Sequence, residues 1–232
     1  MAIAPTPTNE SDAKKPRINL EGDKTGAYKR HQSAHRNFVG TDDQHPVEAG
    51  RYHLHVALAC PWADGTLAGL FLKGLEDTIS YSVVHPTWSK TKPEDPNDKH
   101  HGWVYCSPGD DALPNPLGHG ANECDDALIP DPSGVKSIRE VYEMSGDYKG
   151  PFTTPVLFDK KLNRIVNNES TEILRMLNFD FNDFAKNAEL NLFPEDKEAD
   201  LSQLNETTIY PKVCVLHDIS KLLRIPLIFR CM

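Results

Sequence analysis

Cys60 is followed by Pro61 at a point where one periodicity gives way to another. Upstream, Tyr52, Leu54, Val56 and Leu58 alternate with His53, His55 and Ala57, the period-two pattern of a strand. Downstream, Leu67, Leu70 and Phe71 recur at helical spacing, and Gly74 closes the run, as glycine does past a helix end. Pro61 suits the first position of that helix. A cysteine between a strand and a helix N-terminus faces unpaired backbone N–H groups and the positive end of the helix dipole. Both favour thiolate over thiol, and a thiolate is the nucleophile of thiol–disulfide exchange. The same position would also suit a buried, inert cysteine, because Cys is common in protein cores.

Two further places could serve such a thiol. Thr154-Pro155 opens a strand after a loop. A cis bond there would present the backbone of Thr154 to an extended peptide ligand, whereas a trans proline would simply start the strand. Glu169 and Ser170 stand at a helix N-terminus, where backbone N–H groups can bind a carboxylate and Glu169 can accept from an ammonium. Ordinary capping by Asn168, Ser170 and Thr171, with Glu172 nearby, accounts for the same residues. His100, His101, Cys106, His119 and Cys124 have no spacing of the zinc type, so no metal is expected from them. His53 and His55 are expected to line a surface or groove.

The elements that must position these groups follow in order. Ile79 to Val84 makes a second strand, so strand, helix and strand form one right-handed βαβ unit. Residues 86–134 are rich in Pro, Gly, Asp and Asn with little periodicity, and a loop of that length is functional or disordered. Val135 to Met144 reads as a helix. Thr154 to Phe158 and Arg164 to Val166 read as strands joined through Lys161-Leu162-Asn163, and a helix opens at Asn167 and runs to Leu177. The order βαβ, α, ββα is a thioredoxin topology with an insertion before its second helix. After residue 179 the chain is helical with interruptions, and Glu195 to Tyr210 is expected as one helix.

Composition narrows the function. The formal net charge of the 232 residues is -9, spread along the chain. That argues against nucleic acid as a partner. No stretch reaches the roughly 20 apolar residues of a membrane span. Met1 to Arg17 has no apolar signal core, and the Asn-x-Ser/Thr triplets at Asn9, Asn168 and Asn205 are taken as chance matches. The five cysteines are an odd number without Cys-x-x-Cys spacing, which fits free thiols in a reducing cytoplasm. Residues 1–45 are polar and are expected to be a disordered or loosely docked arm.

Longer motifs add to this. Gly50-Arg51-Tyr52-His53-Leu54 runs into Ala59-Cys60-Pro61-Trp62-Ala63. Then come Leu72-Lys73-Gly74-Leu75-Glu76, Val83-Val84-His85-Pro86, Gly102-Trp103-Val104-Tyr105, Thr154-Pro155-Val156-Leu157-Phe158-Asp159-Lys160-Lys161 and Ile165-Val166-Asn167-Asn168-Glu169-Ser170. From about Gly50 to Tyr210 the chain resembles the glutathionyl-hydroquinone reductases, the xi-class glutathione transferases related to the omega class, in a fungal style. The resemblance implies an α/β thioredoxin-like N-terminal domain followed by an all-helical C-terminal domain. It makes glutathione the co-substrate, without a metal, and Cys60 the catalytic cysteine. Trp103 would pack on glutathione, Thr154 before a cis-Pro155 would pair with its cysteinyl part, and Glu169 and Ser170 would hold its γ-glutamyl end. The expected activity is deglutathionylation of glutathionyl-hydroquinones. The alternatives are an omega-like thioltransferase or dehydroascorbate reductase, and an inactive glutathione-binding product.

Two departures from the family matter. The family usually reads Cys-Pro-Trp-Ala-x-Arg-Thr, and Gly65 stands in place of that arginine in Ala63-Asp64-Gly65-Thr66. The lost cation and the acid of Asp64 both disfavour a thiolate. The resemblance also stops near Val213, and the tail 214–232 has no match. Residues 46–178 are therefore expected to form the glutathione-binding domain, with 179–232 a truncated remnant of the helical one. The resemblance implies a homodimer in the family, and with the helical domain cut short such a dimer is not expected to form in full here.

Overall fold

The computed structural model describes residues 33–115 and 120–204. Strand β1 (Tyr52–Val56) leads into helix α1 (Pro61–Lys73) and the parallel strand β2 (Ser80–Val83). After the insertion come α2 (Ile138–Met144), β7 (Val156–Asp159), β8 (Arg164–Asn167) and α3 (Ser170–Phe179). The sheet order is β2-β1-β7-β8, with β7 antiparallel to both neighbours. This is the expected thioredoxin topology.

Side-chain alternation along β1 divides the core. Tyr52, Leu54 and Val56 face α1 and α3, in a cluster with Leu67, Leu70, Ile173, Met176 and Leu177. The opposite face packs under α2, where Phe158, Ile165, Val141 and Tyr142 meet Trp103 and Tyr105. His53 and His55 belong to that second face and are only 2% exposed. They line the buried end of a groove that opens beside Lys160 and Asn163, within the expectation of a surface or groove. Helices α1 and α3 approach closely because residue 69 has no side chain: a Cβ there would stand 2.1 Å from Leu174 Cδ1.

Local chemistry sets the element ends. Cys60 is the extended N-cap residue of α1, with Pro61 at N1, and Gly74 ends the helix in the left-handed conformation at φ 66°. Helix α2 begins three residues later than its apolar pattern suggests. Ser137 is its cap and accepts from the Glu140 amide at 3.4 Å, while the Glu140 carboxylate accepts from the Lys136 amide at 2.8 Å. Helix α3 likewise begins at Ser170 and not Asn167. Asn167 completes β8, and its side-chain oxygen turns the chain by accepting from the Glu169 amide at 2.7 Å.

The insertion is held by structure of its own. The pair β3 (Ser89–Lys90) and β4 (His101–Gly102) and the pair β5 (Leu113–Pro114) and β6 (Ala121–Asn122) are short hairpins. Ile129 bridges to Val83 beside the main sheet. Arg139 of α2 pairs with Asp98 at 2.6 Å, and Lys92 with Glu143 at 2.9 Å. The polar arm is docked from Ser33 onward: Arg36 bridges to Asn167, the Asn37 amide bonds the Val166 carbonyl at 3.0 Å, and Val39 is fully buried. It thereby covers the β8 edge, which would otherwise offer unpaired backbone groups.

Past α3 the chain makes 3-10 turns at Asn182–Phe184 and Glu195–Lys197 and the short helix α4 (Glu198–Leu204). The helix expected over Glu195 to Tyr210 is thus interrupted at its start, and its second half lies outside the described residues, as do the tail 214–232 and His119.

Candidate active site

Cys60 sits where α1 begins, half-buried between the two core clusters. Its backbone makes the cap: the amide bonds the Ala57 carbonyl at 2.9 Å, and the carbonyl accepts from the Asp64 amide at 2.9 Å. Its side chain makes no capping bond to the helix. The Sγ instead points across to the Thr154 carbonyl, 3.6 Å away, so the thiol lies against the segment that precedes β7. The Thr154-Pro155 peptide is cis. The Thr154 hydroxyl is buried without a hydrogen-bond partner among the described residues.

The second wall is the start of α3. Glu169 is its extended N-cap residue, uses no side-chain cap bond and is 9% exposed; Ser170 is the first helical residue and is buried. The Glu169 carboxylate accepts from Ser33 Oγ at 2.9 Å. Ser33 also donates to the Asn168 carbonyl at 3.2 Å. Ser33 lies in a polar, aperiodic arm that carries no local signal of this contact. Asn168 is oriented from both sides, accepting from the His35 amide at 3.1 Å and donating to the Tyr142 hydroxyl at 2.9 Å. Tyr142 in turn holds Thr153, donating to its carbonyl at 3.1 Å. One buried phenol thus ties α2, the Thr153-Thr154 backbone and the α3 entrance together.

Trp103 lies in the same apolar cluster that receives Cys60, edge-on to Trp88 with ring centroids 5.4 Å apart and only 9% exposed. It comes from the insertion, where the Trp103 carbonyl accepts from the Ile138 amide at 3.1 Å. The structure thus gathers Cys60, Thr154 and Pro155 at one point, and Glu169 and Ser170 at a helix mouth linked to it through Asn168 and Tyr142. Trp103 belongs to the apolar cluster against which Cys60 packs. The other described thiols have no such setting. Cys106 lies against Cys124 in the insertion, and burial together with that neighbouring thiol pushes its pKa up to about 12.

A cysteine at the first turn after β1, facing a cis-proline segment beside a four-stranded mixed sheet, is the arrangement of a thioredoxin-like domain. Residues 59–178 match the family model described as the glutathione S-transferase N-terminal domain, and the chain belongs to that family. It is 36% identical to the glutathionyl-hydroquinone reductase PcpF of Sphingobium chlorophenolicum, over 68% of this chain and 42% of that protein. It is 34% identical to glutathione S-transferase omega-like 2 of Schizosaccharomyces pombe, over 79% of this chain and 52% of the relative. In three dimensions it resembles the Xi glutathione transferase ECM4 of Saccharomyces cerevisiae solved in complex with glutathione. There the TM-score is 0.62 and the identity 29%, covering 78% of this chain and 55% of that one. The chain spans about half the length of the curated relatives it matches. Among the described residues, no helix is long and apolar enough to cross a membrane.

Proposed function

We propose that this chain carries the glutathione-binding and thiol-bearing part of a glutathionyl-hydroquinone reductase, with Cys60 as the nucleophile. The observation that carries this reading is the placement of the Cys60 Sγ at the N-terminus of α1 and 3.6 Å from the Thr154 carbonyl beside a cis-proline. In this mechanism the Cys60 thiolate attacks the sulfur of a glutathionyl-hydroquinone. The sulfur–carbon bond breaks, the aromatic carbon takes a proton from solvent, and hydroquinone leaves. Cys60 is left in a mixed disulfide with glutathione. A second glutathione thiolate attacks the glutathionyl sulfur of that disulfide, releasing glutathione disulfide and the Cys60 thiolate. Thr154 aligns the cysteinyl backbone of glutathione, Glu169 and Ser170 hold its γ-glutamyl end, and Trp103 forms the adjoining wall.

Residues 46–178 are assigned to this glutathione-binding unit and residues from 179 onward to the start of the helical domain that closes over the acceptor. The omega-like name of one relative favours a second reading, in which the same Cys60 chemistry serves general thioltransfer or dehydroascorbate reduction. Steady-state kinetics with a glutathionyl-hydroquinone and with dehydroascorbate separate the two. Cys60→Ser should lower either activity by at least about a thousandfold, as removal of a covalent nucleophile does. Cys106→Ser and Cys124→Ser should retain most of it. Substantial turnover by Cys60→Ser would remove this mechanism.

A further inference from the structure

The second face of the sheet holds a group of polar side chains that the glutathione chemistry does not use. His53 and His55 are two residues apart on β1, so both rings point to that face, with centroids 4.7 Å apart. Asp131, near the end of the insertion, reaches them from above. Its Oδ2 lies 3.4 Å from His53 Nε2 and 3.5 Å from His55 Nδ1. The donor atoms of all three side chains fall within 4.8 Å of one another. An ion bound tetrahedrally at about 2.0–2.2 Å holds neighbouring ligand atoms about 3.3–3.6 Å apart, by the geometry of zinc sites.

The surroundings suit the same purpose. The other carboxylate oxygen of Asp131 is fixed by the Ser133 amide at 2.8 Å and by the Ser133 hydroxyl, which leaves Oδ2 aimed at the imidazoles. The remaining nitrogen of His53, Nδ1, lies 2.7 Å from Ser80 Oγ, the outer contact that orients a ligating histidine. His53 Nε2 and His55 Nδ1 each rest on a neutral hydroxyl, Ser82 Oγ and Tyr105 Oη, both at 2.7 Å; these are the contacts an ion would displace. His55 Nε2, the nitrogen on the far side of the ring, is buried without a hydrogen-bond partner among the described residues, so the outer contact that His53 has is missing at His55. The Asp131 side chain is 6% exposed, and no described lysine or arginine lies within ion-pair distance of it; the cation lining the same groove is Lys160, whose Nζ donates to Ser80 Oγ at 3.2 Å. The three residues open on a cavity of about 290 Å³, roomy enough for an ion and a water as fourth ligand.

We propose that His53, His55 and Asp131 form a binding site for a divalent cation of the zinc type. Two imidazoles and one carboxylate favour zinc, cobalt, nickel or copper over magnesium and calcium, which prefer all-oxygen sites. The ion would be structural: it ties the insertion to the central strand, on the sheet face away from α1 and α3, and takes no part in the Cys60 reaction. The test is titration of the tag-free, reduced, metal-free chain with Co2+ and then Zn2+. One equivalent of Co2+ should give visible ligand-field bands of a four-coordinate nitrogen–oxygen site, without thiolate-to-cobalt charge transfer. Zn2+ should displace it and raise the melting temperature. Asp131→Asn and His55→Gln should each weaken binding by more than the roughly 100-fold that loss of an outer contact can cost. If a variant fails to fold, nitrogen-15 shifts of the His53 and His55 rings in the wild-type chain, with and without Zn2+, decide the matter. Unmoved ring signals, a thiolate-dominated cobalt spectrum, or folded variants that bind like wild type would each overturn the site.

Discussion

At the scale of single residues, the cysteine was the most legible part of the site. A strand pattern, a Cys-Pro step and a helix pattern meet at Cys60 in the sequence, and the structure puts the thiol at that helix entrance, facing Thr154. The conformation of Thr154-Pro155 was open to local reading, because a proline at a strand start is compatible with either isomer. Only tertiary packing chooses between them. Ser33 was not legible at all: its contact with Glu169 spans 136 positions, and no local pattern encodes so distant a partner. For His53 and His55, alternation on β1 suggests a surface or groove, and both do line a groove, at its buried end beneath Asp131 and the insertion. Burial holds the His53 pKa down to about 4, with Asp131 opposing that shift, and pushes that of His55 well below the usual imidazole value. Glu169 makes the sharpest residue-level prediction beyond the cysteine. Glu169→Ala should weaken glutathione binding about tenfold or more, since a charge-assisted hydrogen bond contributes about 1.5–3 kcal/mol. Calorimetry showing wild-type affinity would return this side chain to a purely structural contact with Ser33.

Among the elements, type and order followed from periodicity, and the boundaries were set by side-chain chemistry that periodicity does not see. Ser137 and Asn167 each delay a helix by three residues by taking a backbone amide. The insertion gave no periodic signal because its strands are two residues long, too short for alternation to register. The start of β1 and the end of β7 are joined by a buried ion pair: Arg51 Nη2 lies 2.6 Å from Asp159 Oδ2, and Asp159 is fully buried. Burial pushes the Asp159 carboxyl up, but hydrogen bonds from Arg51, the Leu162 amide, His45 and the Lys161 amide outweigh it and hold the pKa below its usual value. Because the folded pKa is the lower one, this stabilisation is complete above the unfolded carboxylate value of about 3.9 and is lost as pH falls through the folded value. Asp159→Ala, which strands Arg51 without its partner, should lower stability at neutral pH by about 3–5 kcal/mol. Urea unfolding should show the gap between variant and wild type narrowing as the acid range is entered. A gap that does not change with pH would mean that the pair is not the source.

For the molecule as a whole, the segment after α3 is held to the thioredoxin-like unit by ion pairs of Lys186 with Glu76 and Asp77, by the Asn178–Asn191 bond and by a buried lysine. Lys73, in the last turn of α1, is 1% exposed. Its Nζ donates to Asn182 Oδ1 and the Leu190 carbonyl at 2.7 Å each, and to the Ala188 carbonyl at 3.4 Å. The Asn187 amide returns a bond to the Lys73 carbonyl at 3.1 Å. Lys73→Met should cost about 1.5–3 kcal/mol for the lost charged donor and speed amide exchange over residues 182–191 while the sheet stays protected. Uniform exchange would show that the joint lies elsewhere. The central claim is that Cys60 carries glutathione during turnover. Its most direct test is intact-protein mass spectrometry of the acid-quenched chain after mixing with a glutathionyl-hydroquinone, followed by peptide mapping. The predicted result is the mass of one added glutathionyl group, mapped to the peptide containing Cys60, released by glutathione and absent in Cys60→Ser. An adduct on Cys106 or Cys124, or hydroquinone release with no adduct on Cys60 and undiminished in Cys60→Ser, would contradict it.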